Sequence, residues 1–309
     1  QSDLQSRMGA TGPATVTTCS GGDCYLFELA STKLNINDTL RSVKASDLDD
    51  SDLPTVLAEL DYESGDSQTY GYTQKVGFWG SSTSGPTFKP FADDSYDNEK
   101  PAVGLVIKDG QEVFNYTLSW KKNPESDISS SNRLDDFEKS NINILGREYV
   151  ILNAYSNTSI GSGQTKLELM GGAVTSSVSR DEVVTETLEG STYAVRAPYI
   201  ADTKTTLCIA VDGGTEQCQA DLQEGETWKL VNGIQVGVRE INYVSKTGTV
   251  DSIDFSLGAE KVTLQTNQTI EINDDEVNGM KAVFHEYHSG TKQKLTDIII
   301  NWIADDDLF

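Results

Sequence analysis

The feature that most constrains the fold of this chain is a series of short segments in which polar and apolar residues alternate. The clearest is the segment 113–120 (VFNYTLSW), where every second residue is aromatic or leucine, as in a strand with one buried face. Between residues 166 and 264, similar segments recur with turn signals about every ten residues, a rhythm typical of β-sandwiches. The sequence therefore predicts an all-β chain of two immunoglobulin-like β-sandwich domains.

The chain of 309 residues is long enough for two domains. We predict a flexible tail at residues 1–13, a first sandwich at 14–160 and a second sandwich at 161–266. The strands predicted at 267–309 are too few for a domain of their own. We expect them to pack on the first domain, which would make the second domain an insertion, or on a neighbouring subunit.

One short helix is predicted in this β-rich chain, near residues 53–60. Asp52 is a good N-cap, and Pro54 suits a first helical turn. The apolar residues between Leu53 and Leu60 would form a single stripe on one face of the helix.

The charge of the chain excludes several partners. Its 48 acidic and 24 basic residues give a formal net charge of −24. Such a field repels nucleic acid and anionic lipid, and no apolar run approaches the roughly 20 residues that cross a bilayer. We therefore expect no nucleic-acid partner and no membrane insertion.

The same acidic character attracts divalent cations, and several aspartates are clustered in predicted loops. We expect no cofactor, with calcium as the one candidate, because carboxylate oxygens are the ligands that Ca²⁺ prefers. The candidate ligands are Asp47, Asp49, Asp93, Asp94 and Asp97. None of these clusters has the spacing of an EF-hand loop, and an ordinary solvated run of charges is the alternative interpretation.

The four cysteines form two local pairs. Cys19 and Cys24 enclose a four-residue loop, and a hairpin with residues 212–214 as its loop places Cys208 directly opposite Cys218. Opposed strand positions are close enough for a bridge, so we predict the disulfides Cys19–Cys24 and Cys208–Cys218. Zinc is disfavoured, because neither spacing suits a structural site and no histidine is near. Disulfides predict an extracellular location.

Four N-x-S/T sequons accompany this extracellular character. They are centred on Asn37, Asn115, Asn157 and Asn267, and the local patterns predict that all four side chains face solvent. They are candidate sites of N-linked glycosylation. Ordinary polar surface asparagines are the alternative.

No catalytic signature is present. The two histidines, His285 and His288, lack the spacing of a zinc protease, and the sequence contains neither a P-loop nor a G-x-S-x-G elbow. Acidic residues are so frequent that no carboxylate pair of a glycosidase type stands out. We therefore expect a protein that is not an enzyme.

The middle of the chain carries a resemblance to a known family. The segments NINILGREYVIL (141–152) and KLELMGGAV (166–174) are followed by GETWKLVNGIQVGVREINY (225–243). DLPTVLAEL (52–60) and YGYTQKVGF (70–78) precede them in matching order. Together these segments resemble the archaeal S-layer-like proteins, which build paracrystalline coats around cells.

The resemblance implies a structural, secreted protein that assembles with copies of itself at a cell surface. A lattice is the form it implies directly, and a filament or sheath is the alternative for so short a chain. A second hypothesis is a carbohydrate-binding or adhesive module. In that case exposed aromatic residues such as Trp79, Tyr96 and Trp120 would serve as stacking platforms.

The segment near the C-terminus of the sequence is apolar on both faces of its predicted strand. A strand of this kind must be covered twice. It lies either inside its own subunit or in the sheet of a neighbour, donated there as an assembly element. The residues concerned are Ile298, Ile299, Ile300, Trp302 and Ile303.

Overall fold

The computed structural model describes residues 23–29, 32–78, 85–91, 102–156, 165–244, 250–289 and 291–308. Strands make up most of these residues, and the one helix among them is the single turn α1 (Leu40–Val43). The prediction of an all-β chain is confirmed. Within these ranges, no helix is long and apolar enough to cross a membrane.

Ten antiparallel strands form a sheet that closes into a barrel. In sheet order they are β22 (Asp275–Ser289), β21 (Thr269–Ile272), β20 (Glu260–Gln265), β11 (Thr165–Gly171), β10 (Arg147–Ser156), β9 (Asn141–Ile144), β3 (Leu60–Glu63), β4 (Thr69–Gly77), β7 (Glu112–Trp120) and β23 (Lys292–Ile303). β23 pairs with β7 on one edge and with β22 on the other. Closure leaves this ring without a free edge, so the predicted first sandwich is wrong.

Five shorter strands decorate the barrel. They are β1 (Glu28–Leu29), β2 (Thr32–Lys33), β5 (Thr87–Phe91), β6 (Ala102–Val106) and β8 (Glu125–Asp127). β1 with β2, and β5 with β6, form separate two-stranded sheets, whereas β8 pairs with the beginning of β23.

The barrel interior is filled by aromatic and aliphatic side chains. On β7, Tyr116 and Leu118 are fully buried, whereas Thr117 and Ser119 are half-buried. The alternation in the sequence therefore sets which face of the strand points inward. The buried hydroxyl of Tyr116 donates to Oε1 of Gln74 at 2.7 Å, which satisfies it inside the core.

The second unit is a sandwich of two four-stranded sheets. One contains β12 (Val174–Ser179), β19 (Ser252–Gly258), β18 (Gln235–Asn242) and β17 (Thr227–Lys229), and the other contains β13 (Val183–Leu188), β14 (Ser191–Ile200), β15 (Thr205–Val211) and β16 (Gln217–Leu222). Their inner faces share one core, in which Val195, Val238 and Phe255 are fully buried.

The strand order of this sandwich differs from the predicted immunoglobulin-like order. An immunoglobulin domain interleaves successive strands between its two sheets, whereas β13 to β16 here follow one another within one sheet. Tight turns favour this pairing of sequence neighbours. Consecutive residues with positive φ, as a type I′ hairpin requires, occur at Glu189-Gly190 between β13 and β14 and at Asp212-Gly213 between β15 and β16.

The sandwich is inserted into the barrel between β11 and β20. Gly171, at the end of β11, pairs directly with Glu260, at the start of β20. Leu167 on β11 is buried in the barrel core. The inserted strands therefore span 174–258, a shorter stretch than the predicted domain at 161–266.

The helix predicted near residues 53–60 is wrong. The carboxylate of Asp23 accepts hydrogen bonds from two consecutive amides, one of them Val56 N at 2.7 Å. A single helical bond forms beyond it, at Leu57 N, and Leu60 already begins β3. A segment this short between a distant cap and a strand closes only turns, because helix propagation needs several consecutive bonds.

The apolar strand near the C-terminus lies inside the sheet of its own chain. Ile298 and Ile300 face the barrel core, Ile299 and Trp302 are half-buried, and Ile303 is 43% exposed. Both edges of β23 are hydrogen-bonded within the same chain. In this single chain, the strand takes the internal one of the two predicted arrangements.

Candidate functional site

A polar cleft of about 1270 Å³ lies between the barrel and the sandwich. On the barrel side, the loop after β3 and the segment leading into β9 line it, and β18 contributes from the sandwich. Its charged lining residues are Asp61, Glu63, Asp135, Glu138, Glu148, Glu224 and Glu240, against Arg133, Lys139 and Arg239. The excess of carboxylates disfavours an anionic ligand.

A buried ion pair stiffens one wall of this cleft. Arg133 Nη2 lies 2.5 Å from Glu138 Oε2, and Glu138 Oε1 accepts a hydrogen bond from Ala154 N at 3.1 Å. Burial raises the pKa of Glu138, although Arg133 and the amide oppose that change. The guanidinium of Arg133 also lies over the ring of Tyr155. These contacts hold the loop in a single arrangement.

Three polar contacts fix the sandwich to the barrel beside the cleft. Arg239 Nη2 donates to Lys139 O at 2.8 Å, and Lys139 Nζ lies 2.8 Å from Glu240 Oε1. Asn153 Nδ2 on β10 donates to Gly225 O at 2.6 Å. The cleft therefore has fixed walls on both sides.

Two polar atoms on residues that line the cleft have no protein partner. Asn143 Oδ1 and Arg239 Nε are both buried without a hydrogen bond among the described residues. A buried polar group left unpaired costs about 1–3 kcal/mol. The residues that line the cleft thus include one acceptor and one donor without a partner among the described residues.

A second feature lies at the end of the sandwich farthest from the barrel. The strand β12 starts beside the barrel and ends about 20 Å away, where β14 and β18 also end. Five apolar side chains at this end are 41% to 66% exposed. They are Val183, Tyr199, Tyr243, Val244 and Val250, and we call them the distal apolar surface.

Arg180 and Asp251 form a set of hydrogen bonds next to the distal apolar surface. Arg180 Nε donates to Asp251 Oδ2 at 3.0 Å, and its Nη2 donates to Ile200 O at 2.6 Å, which joins the two sheets. Asp251 Oδ1 accepts a hydrogen bond from Val244 N at 2.9 Å. That amide and Arg180 lower the pKa of Asp251. These hydrogen bonds therefore hold the backbone next to the exposed valines in place.

The predicted disulfide Cys208–Cys218 is confirmed. The two residues are direct partners on β15 and β16, with Cα atoms 4.1 Å apart. Cys19 lies outside the described residues, so the bridge between Cys19 and Cys24 stays a prediction.

The predicted calcium ligands are not brought together in the part of the chain that the structure describes. Asp47 Oδ1 contacts Arg41 Nη1 at 3.3 Å, and Asp49 Oδ1 accepts a hydrogen bond from Ser51 Oγ at 2.6 Å. Asp93, Asp94 and Asp97 lie outside the described residues. The one group with metal-ligand spacing in the described ranges is Cys208, Glu216 and Cys218, and its sulfurs form the disulfide.

The sequons differ in their surroundings. Asn37 and Asn267 are exposed in turns. Asn115 is half-buried on β7, where its amide donates to Asn301 Oδ1 and its own oxygen accepts a hydrogen bond from Thr117 at 2.9 Å. Asn157 lies outside the described residues. Glycosylation stays a prediction at all four positions.

Of the predicted stacking platforms, Trp120 is wrong. It is only 7% exposed and packs edge-on against Tyr62 in the barrel core, while Trp79 and Tyr96 lie outside the described residues. His285 and His288 are exposed, and His285 Nδ1 lies 3.0 Å from Asp297 Oδ2.

Sequence reasoning missed both the cleft and the distal apolar surface. Each is assembled from segments that lie far apart in the chain, and no local pattern marks such a meeting. Comparison of the sequence with protein-family models and with curated proteins gave no match.

Proposed function

We propose that this chain is a structural subunit of an extracellular coat that assembles from copies of itself. The resemblance of the segments 141–152, 166–174 and 225–243 to S-layer-like proteins supports a lattice, with a filament or sheath as the alternative form. The disulfide Cys208–Cys218 supports an oxidising location outside the cell.

The distal apolar surface is the observation that carries the proposal. A chain with a net charge of −24 repels its own copies, so an attractive contact between copies needs apolar area. Exposed apolar patches mark interaction sites in soluble proteins, and these five side chains share one end of the sandwich. Burying a single valine contributes about 1.5–3 kcal/mol, and each copy presents three valines and two tyrosines at this end.

The test compares two ends of the same sandwich. We expect the unaltered protein to form arrays or fibres visible by electron microscopy, and the double variant Val183→Asp/Val250→Asp to stay dispersed at the same concentration. Val231→Asp is the matched control, because Val231 is 91% exposed but lies in the turn between β17 and β18, toward the barrel. We expect this variant to assemble normally.

Analytical ultracentrifugation measures the loss. By the burial energies above, the double variant should associate at least tenfold more weakly, a factor that corresponds to about 1.4 kcal/mol. A protein that stays monomeric at every concentration would refute the proposed function. Equal assembly of the double variant and the control would refute the role of the distal apolar surface.

The cleft favours a second candidate function, the binding of a neutral glycan. Its lining contains hydroxyl and amide side chains, among them Ser129, Asn141 and Asn143, and these suit sugar hydroxyls, which both donate and accept. Calorimetric titration with neutral oligosaccharides should then show binding that Asn143→Leu weakens at least tenfold, a loss of about 1.4 kcal/mol. Gln219→Leu, on the exposed strand β16, is the control. Unchanged affinity in Asn143→Leu would count against this use of the cleft.

A further inference from the structure

One end of the barrel contains a buried cluster of a hydroxyl, a carboxylate and a primary amide. Thr165 begins β11, Glu286 lies on β22 and Gln293 lies near the start of β23. Thr165 and Gln293 are fully buried, and Glu286 is half-buried beside them. None of the features discussed above involves these three side chains.

The three side chains contact one another directly. Thr165 Oγ1 donates to Glu286 Oε2 and is in turn contacted by Gln293 Nε2. Gln293 Nε2 also donates to Glu286 Oε2 at 2.6 Å. The backbone amide of Thr165 donates to both carboxylate oxygens, at 3.3 and 3.2 Å. The threonine oxygen therefore touches both the carboxylate and the amide group.

This arrangement has the parts of an acyl-transfer site. A threonine hydroxyl is a weak nucleophile until an adjacent base takes its proton, and Glu286 is placed to do so. Burial raises the pKa of Glu286, while its hydrogen bonds to Thr165 and Gln293 oppose the rise. A carboxylate in such surroundings is suited both to take a proton and to return it.

The side-chain amide of Gln293 has hydrogen-bond partners for its nitrogen but, within the described ranges, not for its oxygen. Its nitrogen has two partners, whereas its oxygen Oε1 is buried with no hydrogen bond from any described residue. An unpaired buried acceptor costs about 1–3 kcal/mol. An ester carbonyl is a weaker hydrogen-bond acceptor than an amide carbonyl, so leaving it unpaired costs less. The pocket therefore suits an ester better than it suits the amide.

We propose that Thr165 and Gln293 form an intramolecular ester cross-link, with Glu286 as the group that transfers the proton. Thr165 Oγ1 attacks Cδ of Gln293 while the carboxylate of Glu286 takes the hydroxyl proton. The bond from Cδ to Nε2 then breaks, Glu286 returns the proton to the nitrogen, and ammonia leaves. The step needs no oxidant, metal or cofactor.

The cross-link would join two strands that are not neighbours in the sheet. β11 pairs with β10 and β20, whereas β23 pairs with β22, β7 and β8. Thr165 and Gln293 are 128 positions apart, and the entire inserted sandwich lies between them in sequence. The bond would thus tie the strand that leads into the sandwich to the strand that closes the barrel.

The direct test is the mass of the intact, purified chain. We expect it to be lower than the sequence mass, corrected for disulfides, by one ammonia. Proteolysis should then yield one branched peptide that contains Thr165 and Gln293. Hydroxylamine, which cleaves esters and leaves amides intact, should separate its two arms. Any amino-terminal glutamine also loses ammonia when it cyclises, so the branched peptide is the decisive observation.

Three variants separate the cross-link from a simple hydrogen-bond cluster. Thr165→Val removes the nucleophile, Gln293→Glu removes the leaving group, and Glu286→Gln removes the base. We expect each of them to lack the branched peptide. Gln74→Glu is the matched control, because Gln74 is also buried in the barrel but lies away from Thr165. The control should retain the branched peptide.

Two results would overturn the proposal. One is separate peptides, with Thr165 and the amide of Gln293 both intact in the unaltered protein. The other is a branched peptide that persists in Thr165→Val. The unaltered chain decides the question by itself, so the proposal can be tested even if a variant fails to fold. These experiments do not measure assembly, so their outcome does not depend on whether the proposed coat function is correct.

Discussion

Glu125 on β8 is a half-buried residue whose ionisation is changed by two neighbouring lysines. Its carboxylate lies 2.5 Å from Lys294 Nζ and 2.9 Å from Lys292 Nζ on β23. Lys294 first and Lys292 second lower the pKa of Glu125 from 4.5 to about 2. The charged form of Glu125 is therefore favoured in the folded state, and it helps to hold β8 against the barrel.

The sign of this pKa change predicts a pH dependence of stability. Because the folded pKa is lowered, the contribution of Glu125 is complete above pH 4.5 and is lost as the pH falls from 4.5 towards about 2. Melting temperatures across this range should show Glu125→Gln below the unaltered protein at pH 6. The two should converge at the acid end. A difference that is constant with pH would contradict the assignment.

The lysines provide the control for this prediction. In the Glu125→Gln background, Lys292→Met and Lys294→Met have no carboxylate at position 125 to act on. We therefore expect them to add no further pH dependence between pH 4.5 and pH 2 through this pair. In the unaltered background, the same two changes should reproduce the loss seen in Glu125→Gln.

Single residues also show where sequence reasoning succeeds. The predicted pairing of Cys208 with Cys218 is correct, because a short hairpin loop fixes the register of the residues around it. Trp120 fails as a surface platform for the opposite reason. Its strand alternation shows one apolar face, but the sequence does not say that this face is enclosed on every side by a barrel.

Among the elements, β19 and β11 meet where the sandwich rests on the barrel. Gly258 ends β19, and a Cβ atom at this position would overlap with Cγ of the buried Met170 on β11. The missing side chain is what lets the two elements approach so closely.

This contact predicts a sharp cost for one added methyl group. Gly258→Ala should lower the free energy of unfolding by about 1–3 kcal/mol, the usual effect of overpacking. Chemical denaturation measures this. Met170→Ala alone should cost about 2–5 kcal/mol by leaving a cavity.

The double variant is the internal control. The loss of unfolding free energy in Gly258→Ala/Met170→Ala should be smaller than the sum of the losses in the two single variants, because the smaller residue at 170 makes room for the methyl group. Strict additivity would show that the two residues do not compete for the same space.

The elements differ in how far local sequence determines them. Most strands carry their alternation in the sequence, as β7 does. The helix predicted near residues 53–60 is wrong because the cap comes from Asp23, more than 30 positions away, and β3 already begins at Leu60, which leaves room only for turns. Long-range capping of this kind leaves no local trace.

At the scale of the whole molecule, barrel closure was not predictable from the strand patterns. A half-buried strand shows the same alternation in a sandwich and in a barrel. The difference lies in one long pairing, between β22 and β23, which joins the two ends of the sheet. The cleft was equally hidden, because its walls come from units that are separate in the sequence.

Under the proposed coat function, self-association needs a defined contact. A charge of −24 spread over both units opposes the approach of copies from most directions. The distal apolar surface lies at the far end of the inserted sandwich, away from the bulk of the barrel. Copies that meet there bring the least of their charged surface together.

The pairing of Gly171 with Glu260 makes the sandwich a module that could be exchanged for another. The chain leaves the barrel after β11 and returns to it at β20, at positions that are direct partners. A tight hairpin between β11 and β20 would therefore preserve the same strand pairing without the sandwich. Loop-closure entropy rises only slowly with length, so the length of an insert at this point changes the entropy of closing the barrel only slightly. A different domain can therefore replace the sandwich at this position, in evolution or by design, while the barrel is kept.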